Sequence, residues 1–319
     1  MRTTRRGLAA AGLLVLAFLG TLLGYAQSGK THVVERSSPV SDGINIELDV
    51  LGIDAVSRQI SVRAMLVPEG RYFDEDEQAF ATSLRVTTRF ALRESADFTV
   101  EAGQPIGGSF DFDVPVYGNV QVYPFDRYDF SNDDPKKVGR IIPAPLIKID
   151  EVLDDGRTAP VPVGVSDRDP GDEPGWTEYW RMITDGSTLN VELVMERSGA
   201  VLVAVGIVVF LVLCLAALSA SVAWAVATKR RPIEPTFASW FAAMLFALIP
   251  LQGFLPGAPP VGAWIDVTVF FWVEIILMAG LAVFIISWFR YREPPDYTHL
   301  ERARRERAQQ IEAEDAATD

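Results

Sequence analysis

The sequence predicts a membrane α plus all-β protein: an extracytoplasmic antiparallel β-sandwich of about ten strands on a four-helix transmembrane domain. Three observations predict it. Four long apolar runs stand apart from the rest, one near the start and three near the other end. The stretch between the first and second runs alternates apolar and polar residues with a period of two, the mark of half-buried strands. Mean hydropathy is +0.17 although the net charge is -13, so the apolar residues are concentrated rather than spread.

The elements follow in order. Residues 1–6 carry Arg2, Arg5 and Arg6 and read as a cytoplasmic N-terminus. Residues 7–26 hold no charge, and about 20 such residues span ~30 Å of hydrocarbon. They read as a transmembrane anchor. A cleaved signal peptide is the alternative, with Gly24-Tyr25-Ala26 as a small-x-small site. Thr4-Arg5-Arg6 also looks like a twin-arginine signal, but an ordinary basic flank explains it more simply.

Residues 27–199 read as the extracytoplasmic sandwich, and they hold the whole acidic excess of the chain. Ile44, Ile46, Leu48 and Val50 alternate with polar residues. So do Ile60, Val62, Ala64 and Leu66, then Leu84, Val86, Thr88, Phe90 and Leu92. Phe110, Phe112 and Val114 follow, and Leu189, Val191, Leu193 and Met195 close the series. Leu51-Gly52, Pro68-Glu69-Gly70, Gly107-Gly108, Asp155-Gly156 and Asp185-Gly186 are expected to separate strands. The acidic stretches 68–78 and 164–175 read as solvated loops.

Residues 200–227, 237–255 and 264–289 read as three transmembrane helices, the last with Glu274 inside it. Residues 290–319 read as a charged cytoplasmic tail. Orientation comes from the basic flanks: Arg2, Arg5 and Arg6, then Lys229, Arg230 and Arg231, then Arg290 and Arg292 with the tail arginines. All fall on one side, which gives a multi-pass plasma-membrane protein with both termini cytoplasmic.

Much chemistry is excluded. The net acidity argues against nucleic acid, which needs a basic footprint. Cys214 is the only cysteine, and His32 and His299 are the only histidines, both near the ends. A cysteine zinc site is impossible, and a Ser–His–Asp site has only His32, read as lying outside the strands, to draw on. No catalytic, metal or cofactor-binding residue is assigned. Glu274 is costly in lipid unless it finds partners; it reads as facing the helix bundle, with an ion or coupling role as the sharper alternative. Trp176, Tyr179 and Trp180 read as strand core and rim rather than an aromatic cage.

One constellation is sharper. Tyr123-Pro124-Phe125-Asp126 resembles the aromatic-Pro-Phe-Asp turn of pentameric ligand-gated ion channel subunits. Leu189–Arg197 resembles the last strand of that family, which ends in Arg and enters the first membrane helix. Phe237–Leu255, a Pro-rich turn with Pro256, Pro259 and Pro260, and Val261–Phe289 resemble its second helix, linker and third helix. The resemblance implies that Tyr123, Pro124, Phe125, Asp126, Arg197, Pro256 and Glu274 are interface or coupling residues. It departs where a pore helix should be polar: Phe237–Leu255 carries Trp240, Phe241, Phe246 and Phe254, bulk that closes or dewets a pore. The whole chain resembles an uncharacterised, mainly actinobacterial membrane-protein family known as a domain of unknown function.

The expected function is a non-catalytic integral membrane protein whose outward sandwich serves sensing, binding or assembly. A channel-like receptor subunit is the alternative, and an envelope enzyme the third reading. The expected partners are the lipid bilayer and further copies of the chain. Asp126 is expected to pair with Arg197, and Phe125 to pack on Gln252–Gly262, with Tyr123 or Pro124 covering Pro256.

Overall fold

The computed structural model describes residues 19–20, 23, 30–90, 93–130, 146–230, 236–257 and 259–290. Most of the run 7–26, the stretch around Asp133 and Lys136, residues 231–235 and the tail beyond Arg290 lie outside the described residues. The chain divides into two compact units: Met1–Cys214 with Ala247–Val273, and Leu215–Phe246 with Glu274–Asp319.

The first unit holds the strands. They are β1 (Thr31–Arg36), β2 (Gly43–Asp54), β3 (Gln59–Glu69), β4 (Phe73–Asp74), β5 (Ala79–Phe80), β6 (Leu84–Phe90), β7 (Arg93–Val100) and β8 (Ser109–Pro115). There follow β9 (Tyr117–Gly118), β10 (Arg127–Asp129), β11 (Leu146–Val152), β12 (Thr158–Pro160), β13 (Val163–Val165), β14 (Trp176–Asp185) and β15 (Thr188–Arg197). One sheet runs β1-β14-β15-β11-β6-β7, with β9, β10 and β12 attached, and a second runs β13-β2-β3-β8. The inward residues of both meet in one buried cluster, in which Ile44, Ile46, Ile60 and Val62 face Val86, Ile149, Trp180 and Leu193. That is a sandwich core built from period-2 patterning.

Three expectations change. The strand segments among the described residues number fifteen rather than about ten, because two- and three-residue segments are too short to show a period. The sandwich is not wholly antiparallel: β1 pairs with β14, and β13 with β2, in parallel. Leu51-Gly52 does not end a strand, because the register shifts between Val50 and Gly52 and β2 continues to Asp54. A glycine inside a strand marks a bulge as readily as an end. The Pro68-Glu69-Gly70 break does end β3, at Glu69, with Pro68 still paired opposite Ile44. The other neighbour, β8, pairs only as far as Met65, so Pro68 has an open edge where its missing N–H costs no ladder bond.

His32 lies in β1, not outside the strands, and its ring stacks on Tyr179 at 5.2 Å. The edge strand β1 has no clean alternation, which hid it. The acidic 164–175 stretch secures it. The Asp172 carboxylate accepts the Thr31 N–H at 2.8 Å, and Asp169 pairs with Arg36 at 3.0 Å.

Three helices follow: α1 (Gly199–Ala227), α2 (Thr236–Gly253) and α3 (Phe271–Arg290), the last entered through a π-helical turn at Asp266–Phe270. All three are long and apolar enough to cross a membrane. Ser198 alone separates β15 from α1, and its N–H donates to the Gly175 carbonyl at 3.0 Å. In the second unit Ala223, Val226, Phe241 and Phe284 form a small core. Gly280 lies against it: a Cβ there would fall 2.9 Å from the Phe241 ring. Small residues permit such close helix packing where no hydrophobic drive exists between apolar helices.

Candidate functional site

The site is built by register. β10 pairs antiparallel with β15, setting Arg127 opposite Glu196, so Asp126 falls opposite Arg197. On the other side β14 sets Trp176 opposite Arg197. Directly opposed residues share a face of the sheet, so the cation receives a carboxylate from one neighbour and an indole from the other.

The contacts follow. Arg197 Nε donates to both Asp126 oxygens at 3.1 and 3.2 Å, and Nη2 donates to Oδ2 at 3.1 Å. Side-chain exposure is 4% for Arg197 and 0% for Asp126. The guanidinium stands 4.0 Å from the Trp176 ring centroid and 5.2 Å from that of Tyr123, within cation–π range. A buried pair of this kind is weak evidence for net stability, but removing one partner strands the other charge at a cost of ~3–5 kcal/mol.

The turn before Asp126 is a 3₁₀ turn at Val120–Val122, capped by the Asn119 side chain, followed by a cis Tyr123–Pro124 bond. Tyr123 is buried, and its hydroxyl donates to the Pro256 carbonyl at 2.8 Å. Burial pushes its pKa up to about 12, against the pull of Arg197. Burial also raises the neighbouring Tyr128, which packs edge-on to Trp176. Gly257 closes the site with φ +77°, and a Cβ there would fall 2.2 Å from Arg197 Nη1.

The structure therefore brings together Tyr123, Asp126, Arg197 and Pro256. Pro124 is half-buried. Phe125 departs from expectation, being 75% exposed, whereas Tyr123 meets Pro256, one of the two arrangements expected. A buried tyrosine needs a partner for its hydroxyl, and the Pro256 carbonyl provides one that a phenylalanine cannot use. Glu274 departs too, since it is exposed at the start of α3 rather than turned into a helix bundle. Trp176, Tyr179 and Trp180 are core and rim: Trp180 is buried, and Tyr179 is half-open beside His32.

Three residues were missed. Asp266 is 1% exposed and accepts from Gln252 Nε2 at 2.6 Å and from the Gly262 N–H at 2.7 Å. It ties the end of α2 to the entrance of α3. Reading 264–289 as one apolar helix with Glu274 inside it passed over Asp266, although a carboxylate near the head of such a run is the available signal. Glu178 is 1% exposed and accepts from the Trp180 indole at 2.7 Å and the Glu173 N–H at 3.1 Å. Burial raises its pKa to about 7 despite those donors. An acid among many in an acidic domain gives no sequence signal. Gly257 is the third; a glycine in a Pro-rich turn reads only as a turn residue.

Among the described residues no group of three or more His, Cys, Asp or Glu is placed to hold a metal. What the site can do is mechanical: it locks a sandwich turn, the end of the last strand and the turn after α2 to one another. Residues 34–172 match a family model described as a domain of unknown function (DUF4436). Residues 197–291 match another described as a domain of unknown function (DUF8686). No curated protein matches the chain. The ion pair joins the two matched stretches, since Asp126 lies in the first and Arg197 opens the second.

Proposed function

We propose that this chain is a multi-pass integral membrane protein whose sandwich faces outward and serves sensing, binding or assembly without catalysis. The observation that carries the reading is the lock around Arg197. A buried ion pair, two aromatic rings and a tyrosine–carbonyl bond meet where β15 enters a helix apolar enough to cross a membrane. A rearrangement in the sandwich that moves the 123–126 turn must move Pro256 or break that bond. The N-terminal run supplies the fourth helix in this reading, both termini are cytoplasmic, and the bilayer is the first partner.

Topology tests it. In a Cys214→Ser background, a cysteine replacing Asp172 should react with an impermeant maleimide in intact cells, and one replacing Ala308 should not. The reverse pattern overturns the orientation, and equal labelling of both overturns the membrane reading.

A channel-like subunit is the second reading. The turn, the last strand and the linker after the second helix come together here as the resemblance implies. Against it, α2 exposes the bulky Trp240, Phe246 and Ile249, and its two hydroxyl side chains, the exposed Thr236 and Ser239, both lie in its first turn. Mass measurement in nanodiscs with single-channel recording separates the two readings: a ring of copies with conductance supports the channel, and silent copies support the first reading.

A further inference from the structure

The sandwich-side portion of α1, the segment 264–269 that leads into α3 and the 122–125 turn enclose a crevice of about 460 Å³. Its walls include Phe125, Leu202, Val205, Gly206, Trp264 and Thr268. The volume falls in the ~300–1,000 Å³ range of small-molecule sites. We propose that this crevice binds the acyl chain of a membrane lipid, an inference that rests on the membrane reading above.

The lining fixes the chemistry of the occupant. Two side-chain hydroxyls reach the wall, and both are spent internally: Tyr123 donates to the Pro256 carbonyl at 2.8 Å and Thr268 to the Trp264 carbonyl at 2.7 Å. Lining backbone within the helices is held in the helix ladders. Apart from the Trp264 indole N–H, the crevice therefore offers hydrocarbon surface rather than side-chain polar groups for a headgroup, a sugar or an ion. Gly206 opens the α1 wall, with no atom within 4 Å of where its Cβ would stand.

Position selects a lipid over other apolar occupants. From Leu202 to Val209 the wall descends about 10 Å along α1, the first turns of a span bathed in acyl chains. Phe125 and Trp264, 75% and 60% exposed, stand in the wall. A tryptophan with an apolar body and a polar edge suits the membrane interface. The described part of the N-terminal run does not fill the space: Leu19 and Leu23 are exposed, and nothing lies within 4 Å of a Cβ at Gly20. A second copy needs a broad matching face, whereas a narrow crevice suits one chain of methylenes, bound by dispersion and by area removed from competing contacts.

The test uses the full chain in phosphatidylcholine nanodiscs carrying a fraction of lipid with a diazirine in its acyl tail. After photolysis, peptide mapping should place label on 202–209 and 264–269, at least fivefold above the exposed stretch around Leu218. Gly206→Trp and Val209→Trp, each filling the crevice from a different turn, should lower that label at least fivefold. Label near Phe246 should stay unchanged, which also shows that the variants remain inserted. Even label along every exposed helix face, unaffected by either variant, overturns the site. No label on any helix overturns the membrane reading as well. In a Cys214→Ser background, a Gly206→Cys disulfide to a cysteine replacing Leu19 assigns the crevice to the chain's own N-terminal run. A disulfide between two Gly206→Cys copies assigns it to a second copy. Either overturns the lipid.

Discussion

Arg197 holds a carboxylate and faces two rings, and its guanidinium fills the space beside Gly257, so its geometry matters as much as its charge. Arg197→Lys keeps the charge but loses the planar fork and the stacking on Trp176, and should lower the unfolding temperature of the full-length protein by several degrees. An unchanged temperature would show that charge alone suffices. Gly257→Ala meets two penalties: a left-handed φ of +77° and a Cβ 2.2 Å from Arg197 Nη1. Gly262→Ala, at φ +98° with nothing within 4 Å, meets the first alone. The left-handed penalty is about 1–2 kcal/mol, so Gly257→Ala should destabilise clearly more than Gly262→Ala; equal losses would remove Gly257 from the lock. Glu178 gives a pH dependence. Burial raises its folded pKa from 4.5 to about 7, so its protonated form is the one the fold favours. Its stabilising contribution is full below the unfolded value and is lost as pH rises through about 7, an effect of ~3 kcal/mol. Unfolding temperatures measured from pH 5 to pH 8 should fall less steeply in Glu178→Gln than in the parent. Identical slopes would refute the assignment.

The elements show what a single sequence discloses. The long alternating strands β2, β3, β6, β8 and β15 were legible because each has one face in the core and one in water. The three apolar helices were legible because Glu274 alone interrupts their uncharged runs. Edge strand β1 was not, since none of its residues is buried and its partner, β14, lies more than a hundred residues away. Nor was the bulge at Gly52, because a glycine signals a strand end and a bulge alike. At the site, the Asp126–Arg197 pair was legible through motif order. Tyr123 against Pro256 was legible as one of two arrangements; the exposure of Phe125 was not, because an aromatic ring in a turn reads as buried whether or not a surface covers it. Helix packing in the second unit carries its own prediction. Gly280→Leu inserts a branched side chain where a single Cβ already falls 2.9 Å from the Phe241 ring, and overpacking costs ~1–3 kcal/mol. It should reduce the yield of folded protein extracted from membranes, and Phe241→Ala in the same chain should restore part of it by making room. Failure of that rescue, with Gly280→Leu alone defective, would place the clash elsewhere.

At the scale of the whole molecule, the two matched stretches of unknown function meet at a buried ion pair, with the Tyr123–Pro256 bond beside it. The central claim is that this pair and the rings around it fasten the sandwich turn to the strand that enters α1. The most direct measurement is a double-mutant cycle on the unfolding of the full-length protein in nanodiscs, with Asp126→Asn, Arg197→Gln and both together. Each single change should cost ~3–5 kcal/mol by stranding a buried partner. The double variant, with no charge left to strand, should lose no more than either single, giving a coupling energy of at least ~2 kcal/mol. Additive losses within about 0.5 kcal/mol would mean that the two side chains act independently, and would contradict the lock.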